Sequence, residues 1–252
     1  MSRPFLVRAG SVIDCLAGER GPATLDDIQR RTGIQRNSLI KLLAVLQDQG
    51  WVDRDRDRFV VGRKLVGWGL SVASLDRLPE EADATMRCVS GRTGLNVTLS
   101  ILSVPHVVFV KTVGPTPEND RAPRLGGVMK LYQASAGLAC LAAGTQGMRG
   151  DYWSQLEGQG CDPYRIEEAR TQVEAARRDG IARTVTPARG TVCEEMSKAV
   201  IGLGGDPLGA ITLWRCRALG EDAPALDEAV PVLHKCIDKL SARMGYIRDV
   251  AA

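Results

Sequence analysis

The feature that most constrains this chain is a pair of helical patterns that meet at a glycine close to its start. Thr24 is placed to cap a helix, and Asp26 and Asp27 fall in its first turn, where the helix dipole favours negative charge. Leu25 and Ile28 face inward, and the helix runs out at Thr32-Gly33. Gly33 suits a positive-φ turn, Ile34 suits the corner behind it, and Asn37 or Ser38 is expected to cap a following helix that reaches Gln49. Along that helix Leu39, Leu42, Leu43 and Leu46 recur at helical spacing and must be buried against a neighbour. Helix, glycine turn, helix is the pattern of a helix-turn-helix.

The opposite face of the same helix carries Arg36, Ser38 and Lys41, with Gln35 and Asn37 at its start. Donors at that end are what a recognition helix uses to reach base edges and phosphates. Together with Thr24 they form the candidate DNA-contact set. Leu6, Ala9, Val12, Ile13 and Leu16 predict a preceding helix, closed by the polar stretch from Gly18 to Ala23. Gly50 is placed to end the third helix. Trp51-Val52-Asp53 and Phe59-Val60-Val61 then predict two short strands around the charged loop Arg54 to Arg58, a β-hairpin wing with Arg56 at its tip. Arginine is favoured in narrow minor grooves, so Arg56 joins the candidate set, and the neighbouring aspartates read as solvated charge.

Charge agrees with this placement. Of the net +3, residues 1–65 hold 12 Lys and Arg against 8 Asp and Glu, and the remainder holds 21 against 22. A surface for a polyanion therefore belongs at the start of the chain. With 44% hydrophobic and 25% charged residues over 252 positions, the composition fits two modest folded domains. No apolar run reaches the roughly 18 to 20 residues of a membrane span, and MSRPFLVRAG lacks a signal-peptide core, so a cytoplasmic protein with no membrane partner is expected. Seven scattered cysteines (15, 88, 140, 161, 193, 216, 236) show no C-x-x-C spacing. They predict neither a disulfide framework nor a metal site, and most are expected to be buried, reduced thiols.

Past the wing, Gly67 to Leu78 reads as a linker helix and Glu80 to Gly91 as another helix. Asn96 to Leu102 and Val107 to Val113 read as two antiparallel strands about a turn at Ser103 to His106. Pro115 to Pro123 is a polar loop, and the small residues Ala134 to Gly144 predict a tightly packed helix. After a polar helical region, Val200 to Leu203 and Leu208 to Arg215 predict strands, and Leu226 to Met244 a final amphipathic helix. The expected organisation is a winged helix-turn-helix over 1–65, a linker over 66–79, and an α+β domain with a mostly antiparallel sheet over 80–252.

The segment Leu25 to Leu65, with its RRTG second helix, serine-bearing recognition helix, Gly-aromatic-Val step into the wing and closing V-G-x-x-L, resembles the DNA-binding domain of the IclR family of transcriptional regulators. The resemblance extends more weakly over Lys130 to Cys140, Met196 to Val200 and Leu208 to Trp214. It implies a GAF-like effector-binding domain, a double-stranded DNA operator, a small-molecule effector of a catabolic pathway, and a homodimer or homotetramer. It also assigns the effector site to Tyr132, Ser135, Glu195, Thr212 and Trp214. Several of these depart from the family pattern: Tyr132 stands where histidine is frequent, Glu195 where cysteine is common, and Thr212 and Trp214 where some members carry serines that hold a carboxylate. A carboxylate in the site would repel a small acid such as glyoxylate, so a larger aromatic, alcohol, amine or neutral ligand fits better. The alternatives are Trp214 as a core residue and Glu195 as a surface carboxylate beside Glu194.

Two other classes are the alternatives. An enzyme fused to a DNA-binding domain has little to recommend it: only His106 and His234 are present, with no G-x-S-x-G elbow, P-loop or dinucleotide fingerprint. No catalytic residue and no cofactor is expected. A redox-sensing regulator would use Cys193 or another thiol and would need a resolving partner close by.

Overall fold

In a computed structural model, the described residues are 4–18, 22–75, 77–116, 123–188, 190–221 and 226–246. The chain divides into two compact units, Met1–Asp76 and Arg77–Ala252.

The first unit opens with α1 (Phe5–Ala17), followed by β1 (Ala23–Thr24), α2 (Leu25–Thr32), α3 (Arg36–Asp48), β2 (Val52–Asp55), β3 (Arg58–Val61) and α4 (Arg63–Leu75). Ala9, Val12 and Leu16 of α1 are buried with Ile28 and with Leu39, Leu42, Leu43 and Leu46 of α3. Leu6, expected on the same inward stripe, is 74% exposed. Thr24 and Asp27 form a reciprocal capping box: the Asp27 amide donates to Thr24 Oγ1 and the Thr24 amide to Asp27 Oδ2. Gly33 takes φ 67° and Ile34 is buried behind it, so the turn geometry follows from the one residue without a Cβ penalty there.

The start of α3 departs from the expected cap. Gln35 is the N-cap, without a side-chain hydrogen bond, and Asn37 and Ser38 lie inside the first turn. Their side chains are therefore free of the capping duty expected of one of them. The wing is three-stranded in the order β1-β3-β2, because Ala23 and Thr24 pair with Phe59 and Arg58.

The second unit runs α5 (Leu78–Thr93), β4 (Asn96–Ser103), β5 (His106–Val113), β6 (Val128–Lys130), a 3-10 turn at Leu131–Gln133, α6 (Ser135–Ala143), α7 (Gln146–Gly158), α8 (Pro163–Asp179), β7 (Ala182–Ala188), β8 (Thr191–Ile201), β9 (Pro207–Ala218), a second 3-10 turn at Leu226–Ala229, and α9 (Val230–Arg243). Six strands make one antiparallel sheet in the order β6-β5-β4-β9-β8-β7. Val97, Leu99, Met196, Ile211 and Leu213 project from one face into a core closed by α5 and α9. The alternate residues face α6, α7 and α8, where Leu138, Leu141, Tyr152, Leu156 and Val173 are buried. Leu78, expected at the end of a linker helix, is fully buried in the first of these cores as the opening residue of α5.

Two strands extend beyond their expected limits. The strand predicted from Val200 begins at Thr191, and the one predicted from Leu208 continues to Ala218. The polar run Glu194, Glu195, Ser197, Lys198 concealed the first, because strand patterns are read from apolar alternation and here one face carries a polar interior. The helix of small residues lies directly on the 3-10 turn: a Cβ on Gly137 would come within 2.2 Å of the Leu131 carbonyl oxygen. That close approach brings Ser135, the first residue of α6, down onto the sheet.

Candidate functional site

The helix-turn-helix presents the expected donors outward. Gln35, Arg36, Asn37 and Lys41 are exposed and Ser38 is half-buried, all on the face of α3 opposite its leucines. Arg36 pairs with Asp26 of α2, so the guanidinium is held by a carboxylate that a phosphate would have to displace. Thr24 is half-buried and its hydroxyl is directed at Asp27 Oδ2, 2.6 Å away, which makes it a capping residue first. The Asp27 carboxyl lies below the ordinary range, chiefly through the Thr24 hydroxyl and amide, and also through Arg30. At the wing tip Arg56 is exposed with φ 57°, a left-handed conformation that a residue with a side chain adopts at a cost. The Arg54 guanidinium donates to the Arg56 carbonyl at 2.8 Å and lies over the Phe59 ring, stiffening the hairpin.

In the second unit a cavity of about 270 Å³ opens on the sheet face beneath the start of α6. Three residues of the expected effector set line it: Ser135, Glu195 and Thr212. They arrive from α6, β8 and β9 and are joined by hydrogen bonds. Ser135 Oγ donates to Glu195 Oε2 at 2.7 Å, Ser197 Oγ donates to Ser135 Oγ at 2.8 Å, and Ser197 and Thr212 share a bond of 2.7 Å. Thr184 of β7 adds a second donor to Glu195 Oε2 at 3.1 Å. Phe109, Met129 and Pro123 contribute apolar wall. Polar groups placed among apolar walls are the usual make-up of a small-molecule site.

The other two expected residues are not among those lining the cavity. Trp214 shares a sheet face with Thr212, as the two-residue spacing requires, but one step further along β9 carries it about 7 Å away. There it is 2% exposed, and its indole Nε1 donates to Thr98 Oγ1 at 2.9 Å. Thr98 in turn lines the cavity, so Trp214 supports the wall from behind. Tyr132 lies in the 3-10 turn, where its amide donates to the Tyr152 hydroxyl and its own hydroxyl accepts from Gln133.

Sequence reasoning missed Thr98, Thr184 and Ser197. Their signal was present as small hydroxyl residues alternating along β4, β7 and β8 (Thr98 and Ser100; Thr184 and Thr186; Glu195 and Ser197), a polar period of two aimed inward. The cysteine pattern predicts no disulfide, and the structure holds one. Cys193 and Cys216 are disulfide-bonded, since the antiparallel register of β8 and β9 sets them directly opposite with Cα atoms 4.2 Å apart. A separation of 23 residues gave no spacing motif. Cys193 lines the cavity. Of the other cysteines, Cys140 and Cys236 are buried, Cys15 and Cys161 half-buried and Cys88 exposed; burial pushes the Cys140 thiol up to about 12. On the reverse face of β8 from Glu195, Glu194 is held between Arg215 and Arg217, which keep its carboxyl below the ordinary range, Arg217 most strongly. Among the described residues no cluster of His, Cys, Asp or Glu could hold a metal ion, and no helix is long and apolar enough to cross a membrane.

A winged helix-turn-helix unit joined to a helix-flanked antiparallel sheet with a ligand-sized polar cavity defines the architecture of a two-part bacterial regulator. Residues 6–56 match the IclR helix-turn-helix domain and residues 71–241 the bacterial transcriptional regulator IclR C-terminal domain; the chain belongs to the IclR family, whose members are transcriptional regulators and not enzymes. It is 21% identical over 174 residues to the p-hydroxybenzoate hydroxylase transcriptional activator of Acinetobacter baylyi, covering 67% of this chain and 64% of that protein. It is 23% identical over 168 residues to the glycerol operon regulatory protein of Streptomyces coelicolor, covering 64% of this chain and 66% of that protein. The chain thus spans just under two thirds of each of these relatives. In fold it is similar to an IclR homologue from Microbacterium hydrocarbonoxydans complexed with 4-hydroxybenzoate, with a TM-score of 0.67, 18% identity, and coverage of 96% of this chain and 99% of that one.

Proposed function

We propose that this protein is a cytoplasmic, DNA-binding transcriptional regulator whose operator affinity is set by a small organic effector of a catabolic pathway. The exposed donors Gln35, Arg36, Asn37, Ser38 and Lys41 on α3, together with Arg56 on the wing, meet double-stranded DNA, and two or four copies bind a roughly palindromic operator. The effector occupies the cavity walled by Ser135, Glu195 and Thr212. The single observation that carries this reading is the cavity itself, lined from α6, β7, β8 and β9, in which Ser135 of α6 and Thr184 of β7 converge on the Glu195 carboxylate of β8. The relatives' names support a small organic effector, two through the genes they control and one through its bound 4-hydroxybenzoate. The helix α4 is the linker through which occupancy of the cavity alters operator affinity, which requires the effector to bind DNA-competent and DNA-incompetent states unequally.

The test is fluorescence anisotropy of duplexes drawn from the region upstream of the protein's own gene, at fixed salt. Saturable, sequence-selective and salt-dependent binding is expected. Binding indifferent to sequence would overturn the reading.

A second reading, control by oxidation, is favoured by the Cys193–Cys216 pair, of which Cys193 lines the cavity. In a reducing compartment such a bond forms under oxidative stress and opens afterwards. Equal operator affinity before and after thiol reduction would exclude it.

A further inference from the structure

We infer that the cavity recognises its ligand as a hydrogen-bond donor, and that the recognised group is a protonated amine; this rests on the cavity being the effector site. An ionised carboxylate only accepts, so the bonds to Glu195 Oε2 use the single hydroxyl protons of Ser135 and Thr184. With its proton on Glu195, Ser135 must accept from Ser197. Ser197 has then used its own proton, so in its bond with Thr212 it must accept, and Thr212 donates. Glu195 thereby orients the relay Thr212 to Ser197 to Ser135 to carboxylate, with every proton pointing inward along the chain. At the cavity surface Ser135, Thr184 and Thr212 are left with lone pairs alone. Among the described residues, Glu195 Oε1 takes no hydrogen bond, and Glu195 is the one charged side chain lining the cavity.

Against this stand neutral donors on the wall, the second amide proton of Gln133 and the hydroxyl of Thr186, and the start of α6, whose N-cap Ala134 makes no side-chain cap. A helix N-terminus is equivalent to about half a positive charge, against the full negative charge of Glu195 bonded to its first residue. The balance is negative, and it attracts a cation. Size narrows the class further. A cavity of about 150 Å³ encloses benzene, so about 270 Å³ holds one ring and a short tail.

The experiment uses a pair of probes that differ in the charge of the tail, tyramine and 4-hydroxyphenylacetate, titrated calorimetrically into the full chain at neutral pH. Tyramine should bind roughly tenfold or more tightly than the acid, the scale of one charge-assisted hydrogen bond. Glu195→Gln should erase that preference. Ser197→Ala, which changes a buried residue outside the cavity lining, should free the Thr212 proton to point into the cavity and narrow the preference by strengthening the acid; this variant carries the test if Glu195→Gln does not fold. Equal or tighter binding of the acid to the unaltered protein, binding of neither probe, or a preference unmoved in the folded variants would overturn the inference. Tyramine that binds without altering operator affinity would sink the effector reading and leave the ligand class standing. An acid that binds more tightly than tyramine and shifts operator affinity would do the reverse.

Discussion

The hydroxyl of Ser135 donates to Oε2 of Glu195 across 2.7 Å, joining the first residue of α6 to a strand 60 positions later in the chain. Ser135 is 1% exposed, so its loss leaves one carboxylate oxygen short of a donor and the Ser197 hydroxyl short of an acceptor. Ser135→Ala should destabilise the second unit by about 1.5–3 kcal/mol, the range for hydrogen bonds to charged groups. Urea denaturation followed by far-UV circular dichroism measures it, and an unchanged midpoint would show that the bond contributes nothing.

Trp214 allows a sharper separation of folding from sensing. Because it is buried behind Thr98, Trp214→Ala should cost about 3–5 kcal/mol, as large aromatic truncations in cores do. Trp214→Phe keeps most of the ring volume and removes the indole donor, and should cost distinctly less. Similar costs for the two variants, read from thermal denaturation, would place the main contribution of Trp214 in its hydrogen bond.

At the wing tip, Arg56→Gly should act in opposite directions on stability and on DNA binding. Glycine relieves the left-handed backbone at φ 57° and should raise stability by about 1 kcal/mol. Removing the side chain should lower affinity across duplex sequences and make the salt dependence shallower by about one contact. A loss confined to one base position, measured over a panel of duplexes, would mean that Arg56 reads sequence.

The ion pair of Arg36 with Asp26 leads to a gain of function. Asp26→Ala removes the carboxylate that competes with DNA phosphate for the guanidinium. Operator affinity should rise at low salt and the difference should fade at high salt, since both side chains are exposed and screened. Weaker binding by this variant would show that the pair orients Arg36 for contact.

Glu194 provides a pH test. Its carboxyl is lowered in the folded protein by Arg217 and Arg215, so its contribution to stability is complete above the unfolded value of about 4.3 and is lost as pH falls through the folded value. The deficit of Glu194→Gln should therefore be full at neutral pH and shrink in strong acid. A deficit independent of pH in denaturation at several pH values would assign it to packing alone.

The first unit was largely legible in the sequence because its determinants are local. The leucine spacing of α3, the Thr24 and Asp27 cap and the Gly33 turn each act over a few residues, and helix periodicity reports them directly. Even there the start of α3 was misplaced, since Gln35 ends the turn without a side-chain cap. The effector-site positions came from resemblance, and residue spacing alone could say only that Thr212 and Trp214 share a face. The antiparallel register decided the rest. It set Cys193 opposite Cys216 and Ser197 opposite Thr212, and left Trp214 one step beyond the cavity. Contacts of that kind join residues from 15 to 62 positions apart, and the relay through Glu195 exists only once α6 has been seated on the sheet. A period of two tells which side chains share a face; which strand lies beside which, and where along its length, is settled only by packing.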